Sequence, residues 1–137
     1  REDNPAKYFS PEMGYPGDGY VDVFGLDDYS GHWGKIRASA RVGVTCAEAR
    51  GKIGALTEVG PGAGLPREEK SSFYTGQLLR PLKDDKVARK IAYALVWRNS
   101  NRGHFWVPFK GHPDEEDFIK FREDPWTLFE DDLPEAR

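Results

Sequence analysis

The chain has 137 residues, of which 20 are basic and 23 acidic, and its formal net charge is -3. This charge argues against nucleic acid as a partner, because binding to phosphates needs a basic surface. No apolar run approaches the roughly 18 residues of a membrane-spanning helix, so we expect a soluble protein of one domain, with no membrane partner.

Cysteine and histidine usage argues against a metal site. Cys46 is the only cysteine, which excludes an internal disulfide and a metal site of the multiple-cysteine kind. We interpret it as a small hydrophobic residue on a helix face. The three histidines, His32, His104 and His112, lie far apart without metal-ligand spacing. The segment "GPGAG" lacks both the P-loop lysine and the Rossmann spacing. We therefore expect no metal and no organic cofactor.

The first half of the chain alternates a strand pattern with a helix pattern. Residues 20–26 are rich in β-branched and aromatic side chains and predict a strand. A helix is predicted next, because apolar residues recur at helical spacing before a glycine; they are Ile36, Ala40, Val44 and Ala47. Residues 53–58, "IGALTE", predict a short buried strand before the turn-rich loop 59–70.

The second half repeats this order. Residues 71–90 predict a second helix with an interruption at Pro81. Residues 91–97, "IAYALVW", predict a third apolar strand, and a long aromatic loop follows at residues 98–113.

A last helix is predicted over residues 114–124, with Asp114 as its N-cap and with Phe118 and Phe121 on one face. We expect the part of the preceding loop at residues 103–113 to be packed by its own aromatic rings. Strand and helix thus alternate three times, and the strands are apolar almost throughout. This order is typical of a parallel sheet buried on both faces.

Each predicted strand ends in polar or aromatic functional groups. They are Asp27, Asp28 and Tyr29 for the first strand, Thr57 and Glu58 for the second, and Trp97, Arg98 and Asn99 for the third. In parallel α/β folds the carboxyl ends of the strands form the active-site face. We therefore predict that Glu58 points into a cleft, with a solvated or helix-capping role as the alternative. One of the two aspartates is expected to cap the following helix or to bind its backbone amides.

Five segments, in this order and spacing, resemble the C-terminal part of glycoside hydrolase family 26, the β-mannanases. They are "YPGDGYVDVFGLDDY", "GKIGALTEVG", "VARKIAYALVWRNS", "HFWVPFKGHP" and "DFIKFREDPWTLFEDDLP". The resemblance covers residues from about 15 to 134 and implies a (β/α)8 TIM barrel, an α/β fold. The chain would then be a single incomplete catalytic domain, residues 1–137, with strands six to eight, and its partner would be the missing N-terminal part of the barrel.

The resemblance also implies roles for individual residues. Glu58 matches the catalytic nucleophile, and Tyr29 matches a tyrosine that the family uses beside it. Trp97 matches the platform under the sugar at the cleavage point, and Arg98 matches an arginine that reaches a sugar on the glycone side.

Two aspartates are also matched to the family, but its second catalytic residue is not. Asp22 and Asp27 fall at strand-six positions where the family has acidic residues, which implies substrate binding. The family's general acid/base, a glutamate at the end of strand four, has no counterpart in this sequence. The resemblance therefore implies that the isolated chain is an inactive fragment.

The implied activity is endo-acting, retaining hydrolysis of β-1,4 bonds in mannan, glucomannan or galactomannan. A polymeric substrate implies an extracellular or periplasmic location. One alternative is a noncatalytic glycan-binding relative that uses Trp97, Trp106 and Tyr29 as sugar platforms. Others are a family member that acts on another β-glycan, and a small α/β interaction domain unrelated to glycans.

Overall fold

Three parallel β-strands form the sheet of this protein. The computed structural model describes Lys7, residues 9–101 and residues 103–134. The strands are β1 (Val23–Asp28), β2 (Ile53–Val59) and β3 (Ala94–Val96), and β2 lies between the other two. Both neighbouring pairs are parallel, which confirms the predicted parallel α/β arrangement.

The first and third strands differ in their bounds from the prediction. A turn occupies the predicted start of the first strand, where the Tyr20 N–H donates to the Gly17 carbonyl. The strand then continues through Asp27 and Asp28, whose carboxylates both accept hydrogen bonds. The third strand, predicted over residues 91–97, is regular only over Ala94–Val96. The Ile91 N–H still belongs to the preceding 3-10 helix (Ala88–Lys90), since it donates to the Ala88 carbonyl, whereas the Ala92 N–H already donates to Gly54 of β2. Backbone hydrogen bonds, which a hydropathy pattern does not contain, set these bounds.

Helix α1 (Trp33–Glu48) covers one face of β1 and β2. It buries the apolar residues that predicted it, together with Gly43 and Cys46. The helix lies very close to the sheet: a Cβ added to Gly54 would be 2.9 Å from the backbone of Val44. The predicted helix and the predicted burial of Cys46 on its face are confirmed.

The second helical stretch does not stop at Pro81. A π-helix (Phe73–Leu79) continues into the short α-helix α2 (Arg80–Lys83), and Pro81 lies buried in the first turn of α2. A proline inside an α-helix loses a donor and clashes with the carbonyl four residues earlier. The wider π turns before Pro81, in which the Arg80 N–H donates to the Thr75 carbonyl, accommodate it.

Helix α3 (Glu115–Arg122) begins after Asp114, as predicted, but the Asp114 side chain makes no capping bond to α3. Its carboxylate instead accepts hydrogen bonds from the N–H groups of Ser71 and Ser72 at 2.8 and 3.0 Å. The carboxylate therefore holds the segment that leads into the π-helix. Phe118 and Phe121 pack together against the core, as predicted.

The hydrophobic core lies between one face of the sheet and the helices. Its largest fully buried members are Tyr74, Phe24, Phe73, Ile36, Leu56 and Leu78. The opposite face of the sheet is open, and Val23, Ile53 and Leu95 are exposed there, because successive side chains of a strand point to opposite faces. Among the described residues, no helix has the length and apolar character needed to cross a membrane.

Candidate active site

The carboxyl ends of the three strands meet at one edge of the sheet. Asp27 of β1 lies beside Glu58 of β2, and Val59 of β2 lies beside Val96 of β3. Because the strands are parallel, the residues that follow them emerge on the same side. The structure therefore brings the predicted strand-end residues to one face.

Tyr29 and Glu58 form the centre of this face. The Tyr29 hydroxyl donates a hydrogen bond to Glu58 Oε2, with 2.6 Å between the oxygen atoms. Both side chains are half-buried, so the carboxylate has a fixed partner and still reaches the surface. This is the geometry expected for an oriented carboxylate at a strand end, and its catalytic role stays a prediction.

The environment keeps Tyr29 protonated. Burial raises the pKa of the Tyr29 phenol far above its ordinary value, and the hydrogen bond to Glu58 and the charges of Glu58 and Asp27 raise it further. A phenol beside carboxylates is costly to ionise. Tyr29 is therefore a hydrogen-bond donor to Glu58 throughout the neutral pH range.

A β-bulge in β2 brings Glu58 beside Asp27. The register shifts between Leu26 and Asp27, so that Thr57 has no pairing partner on β1. The Thr57 hydroxyl donates to Asp27 Oδ1 at 2.8 Å. Thr57 also lies over Gly25, where an added Cβ would be 2.2 Å from the Thr57 methyl carbon. Bulges redirect side chains next to active sites. The sequence indicated Thr57 only as a polar group at the strand end, and it gave no sign of the role of Gly25.

Asp28 does not belong to the cleft. It is buried and accepts hydrogen bonds from the Ser30 N–H at 2.9 Å and from the Ser39 hydroxyl of α1 at 2.6 Å. The N-cap of α1 is His32, whose Nδ1 accepts from the Gly34 N–H at 3.1 Å. Asp28 thus connects the end of β1 to α1. The prediction that an aspartate caps this helix or binds its backbone amides is wrong, because Asp28 binds a side chain of the helix and Asp27 binds Thr57.

Trp97 and Arg98 follow β3 directly, at the same edge of the sheet as Glu58. Trp97 is 36% exposed, and the Arg98 guanidinium carbon lies 6.0 Å from the centre of the indole. An exposed indole beside a cation suits a polar ligand with an apolar face, such as a sugar. Substrate binding by these two residues stays a prediction.

Comparison with known proteins identifies the family. The modular endo-β-1,4-mannanase of Cellulomonas fimi, a family 26 glycoside hydrolase, is similar with a TM-score of 0.83 and 33% identity, over 96% of this chain and 30% of that structure. The catalytic domain of a family 26 endo-β-1,4-mannanase from Bacillus sp. has a TM-score of 0.80 and 29% identity, over 96% of this chain and 37% of that structure. A mannan endo-1,4-β-mannosidase of Bifidobacterium adolescentis is 30% identical, over 78% of this chain and 12% of that protein. No family model matches the chain.

The chain belongs to glycoside hydrolase family 26. Its fold is part of a (β/α)8 TIM barrel, as predicted, and it spans about a third of the length of the solved family 26 structures that it matches.

The position of Asp22 corrects one prediction about the family 26 site. Asp22 precedes β1 and lies near Lys52, with 3.9 Å between Oδ1 and Nζ, and its side chain is 97% exposed. The six residues of β1, at about 3.3 Å each, put it about 20 Å from the carboxyl end of the strand. Asp22 therefore lies at the wrong end to bind substrate beside Glu58. The prediction came from the resemblance to the family, whereas the predicted strand 20–26 already placed Asp22 near its amino end.

Trp106, which the sequence indicated only as a sugar platform of the noncatalytic alternative, contacts Tyr29 in the structure. Its ring lies edge-to-face against Tyr29, with 6.0 Å between the ring centres and 67° between the planes. It is only 5% exposed, which excludes the alternative in which Trp106 is a sugar platform. The loop is packed by its own aromatic rings, as predicted, through Phe105, Phe109 and His112. The contact to Tyr29 could not be read from this pattern.

The histidines of the chain are engaged in local structure. His104 packs against Trp106 at 4.0 Å between ring centres, and Nδ1 of the buried His112 accepts from the Asp114 N–H at 3.0 Å. In the part of the chain that the structure describes, no group of three or more potential ligand residues is arranged to hold a metal ion.

Proposed function

We propose that this chain is part of an endo-acting, retaining β-mannanase whose nucleophile is Glu58. The observation that carries the proposal is the 2.6 Å hydrogen bond from the Tyr29 hydroxyl to Glu58 at the carboxyl ends of the strands. The matched proteins from Cellulomonas fimi and Bacillus sp. are endo-β-1,4-mannanases. The substrates proposed here are the internal β-1,4-mannosidic bonds of mannan, glucomannan or galactomannan.

Retaining hydrolysis proceeds in two steps, and Glu58 acts in both. An oxygen of its carboxylate forms a bond to the anomeric carbon while the bond to the leaving oxygen breaks and a general acid protonates that oxygen. Water then forms a bond to the anomeric carbon, gives its proton to the same group and releases Glu58. Because Tyr29 binds Oε2, Oε1 is the oxygen that attacks. The general acid is expected to come from a part of the barrel outside these 137 residues.

Trp97, Arg98 and Asp27 supply substrate contacts in this proposal. The exposed Trp97 indole would lie under the apolar face of a sugar, and the donors of Arg98 would bind its hydroxyl groups. These contacts hold the anomeric carbon in line with Glu58, which lowers the entropic part of the barrier.

Because the substrate is a polymer, we propose an extracellular or periplasmic site of action.

The test is Glu58→Ala in a complete barrel that contains this chain. We expect hydrolysis of an aryl β-mannobioside with an activated leaving group to fall by about 10³-fold or more, because no covalent intermediate can form. Added azide should restore turnover and give a mannosyl azide of inverted configuration, since azide attacks in place of Glu58.

Glu123→Ala is the matched control, because Glu123 is an exposed glutamate at the end of α3, and it should keep full activity. Retained activity in Glu58→Ala would disprove the nucleophile assignment. Binding of mannan without cleavage by the unsubstituted barrel would instead indicate the noncatalytic relative, and cleavage of another β-glycan in preference to mannan would change the substrate.

A further inference from the structure

Trp106 is a buried residue whose polar groups all have partners within the chain. Its backbone N–H donates to Asn99 Oδ1 at 2.9 Å, and its carbonyl accepts from the hydroxyl of the buried Tyr74. The indole Nε1–H donates to the Pro61 carbonyl at 2.8 Å. Because both the backbone and the ring are bound, the indole is held in one position relative to the strand ends.

Tyr74, whose hydroxyl binds the Trp106 carbonyl, lies in the hydrophobic core. Tyr74 is fully buried, and its backbone N–H donates to the buried carboxylate of Asp117 at 2.8 Å. Burial raises the pKa of the Tyr74 phenol, and the charges of Asp114 and Asp117 raise it further, so this hydroxyl remains a donor to the Trp106 carbonyl. The indole therefore rests on the rigid part of the molecule and not on a surface loop.

The indole contacts both segments that carry the Tyr29–Glu58 pair. Its ring lies against the Tyr29 ring, and its N–H binds Pro61, two residues after β2 ends. These segments are also joined to each other, since the Gly60 N–H donates to the Asp28 carbonyl at 3.1 Å and Ser30 forms an isolated bridge with Pro61. Trp106 thus braces the two strand ends from one side.

Gly60 allows the close approach of the indole. A Cβ at this position would be 2.4 Å from Cδ1 and 2.8 Å from Nε1 of Trp106. These separations are too short for any side chain, so the ring lies directly on the backbone that follows Glu58.

We propose that Trp106 is a positioning residue that holds the Tyr29 hydroxyl against Glu58. The inference rests on the function proposed above. Trp106 is too buried to contact substrate, so its effect on the reaction passes through Tyr29. Attack on the anomeric carbon tolerates little displacement, and a shift of about 1 Å can lower the rate by about 100-fold.

The first test is a double-mutant cycle between Trp106→Phe and Tyr29→Phe in the complete barrel. Phenylalanine keeps an aromatic ring but cannot donate to Pro61. With Tyr29 present, we expect Trp106→Phe to lower kcat on the activated aryl β-mannobioside by about 10-fold, with KM unchanged. In the Tyr29→Phe background the same substitution should change kcat by less than about twofold, because residues that act as a unit are not additive.

Trp126→Phe is the matched control. Trp126 is a partly buried tryptophan that packs against the core at the other end of the chain. It should lower the midpoint of thermal unfolding and leave kcat unchanged in both backgrounds. The two tryptophan variants together separate lost stability from lost positioning.

A second variant, Gly60→Ala, keeps Trp106 and displaces its ring. We expect it to lower kcat in the same way and to show the same loss of effect in the Tyr29→Phe background. Gly19→Ala is its control, since an added Cβ at Gly19 meets no atom within 4 Å. This pair decides the question if Trp106→Phe does not fold.

The outcomes separate this inference from the proposed function. If Glu58→Ala is inactive but Trp106→Phe and Gly60→Ala keep the unsubstituted kcat, the positioning role is wrong and the nucleophile assignment stands. An equal loss of kcat with and without the Tyr29 hydroxyl would also overturn the positioning role. If Glu58→Ala remains active, the proposed function itself fails.

Discussion

At the scale of single residues, the orientation of the Glu58 side chain depends on neighbouring residues that have no catalytic role themselves. The bulge at Thr57 places Glu58 beside Asp27, and the absence of a side chain on Gly25 provides the space for Thr57. Strain and unusual register are concentrated where a protein must direct a functional group. The nucleophile candidate is therefore supported by a glycine on the neighbouring strand.

Gly25→Ala tests this dependence. The new Cβ would be 2.2 Å from the Thr57 methyl carbon, so we expect overpacking to lower the free energy of unfolding by about 1–3 kcal/mol. Activity should fall as well, because the shift of Thr57 changes the direction of Glu58. Urea unfolding and kcat measure the two effects in the complete barrel.

Gly19→Ala is the control for replacing a glycine, since a Cβ added at Gly19 would have no atom within 4 Å. A Gly25→Ala variant with the stability and kcat of the unsubstituted protein would show that the bulge has room to adjust. The role assigned to Gly25 would then be wrong.

At the scale of elements, aspartate carboxylates connect helices to neighbouring segments by accepting hydrogen bonds from backbone N–H groups that hydrophobic packing does not satisfy. The buried Asp114 and Asp117 accept N–H donors at the start of the π-helix, which satisfies groups that no helix can satisfy itself. Asp85 does the same for the 3-10 helix before β3, since Oδ1 accepts from Val87 and Ala88 at 2.9 Å each. Both oxygens of this carboxylate also accept from Nη1 of Arg41 in α1, at 3.1 and 2.9 Å. Asp85 thereby joins α1 to the segment that leads into β3.

Asp85 makes the stability of this junction depend on pH. The Ala88 and Val87 N–H groups and Arg41 lower the pKa of Asp85 from its ordinary value of 3.8, although burial opposes them. A carboxyl group with a lower pKa in the folded state stabilises the fold above its unfolded pKa. This stabilisation is lost as the pH falls through the lowered value.

Asp85→Asn should therefore be less stable than the unsubstituted protein near neutral pH. The gap between the two free energies of unfolding should narrow as the pH falls below 3.8, because the carboxyl group becomes neutral first in the unfolded state and, below its lowered pKa, in the folded state as well. Urea unfolding over an acid pH series measures this. Asp22→Asn, which changes a 97% exposed side chain, should follow the unsubstituted curve, and a gap that does not vary with pH would contradict the assignment.

At the scale of the whole molecule, the described sheet has two open edges and one open face. β1 and β3 are its edge strands, and Val23, Ile53 and Leu95 are exposed on the face opposite α1. In a barrel, this face packs against the other strands and the edges are paired. Unpaired edges and exposed apolar side chains favour association between chains.

We expect the isolated 137-residue chain to self-associate and to leave mannan uncleaved. Light scattering after size exclusion and a reducing-sugar assay measure the two properties. Leu95→Lys, on the open face, should reduce the association, whereas Lys86→Leu, on an exposed residue away from the sheet, should not. A monomeric chain that cleaves mannan would contradict the expected association. It would also contradict the expectation that the general acid comes from a part of the barrel outside these 137 residues.

The sequence by itself determined the order of elements, the parallel sheet and the family. These depend on local features: near-continuous apolar strands, helical spacing of apolar residues, and five ordered motifs. The same patterns put Tyr29 and Glu58 at neighbouring strand ends, and the structure joins them by a hydrogen bond. Strand ends in a parallel sheet meet for geometric reasons, so their proximity can be predicted without knowing any side-chain contact.

Only the tertiary structure decided which side chains surround this pair. The bulge at Thr57, the engagement of Asp28 with α1 and the position of Asp22 at the far end of β1 all depend on register and on hydrogen bonds between distant segments. The contact of Trp106 with Tyr29 joins residues from two loops. Such contacts are absent from any local pattern, because burial and pairing arise only after the chain has folded.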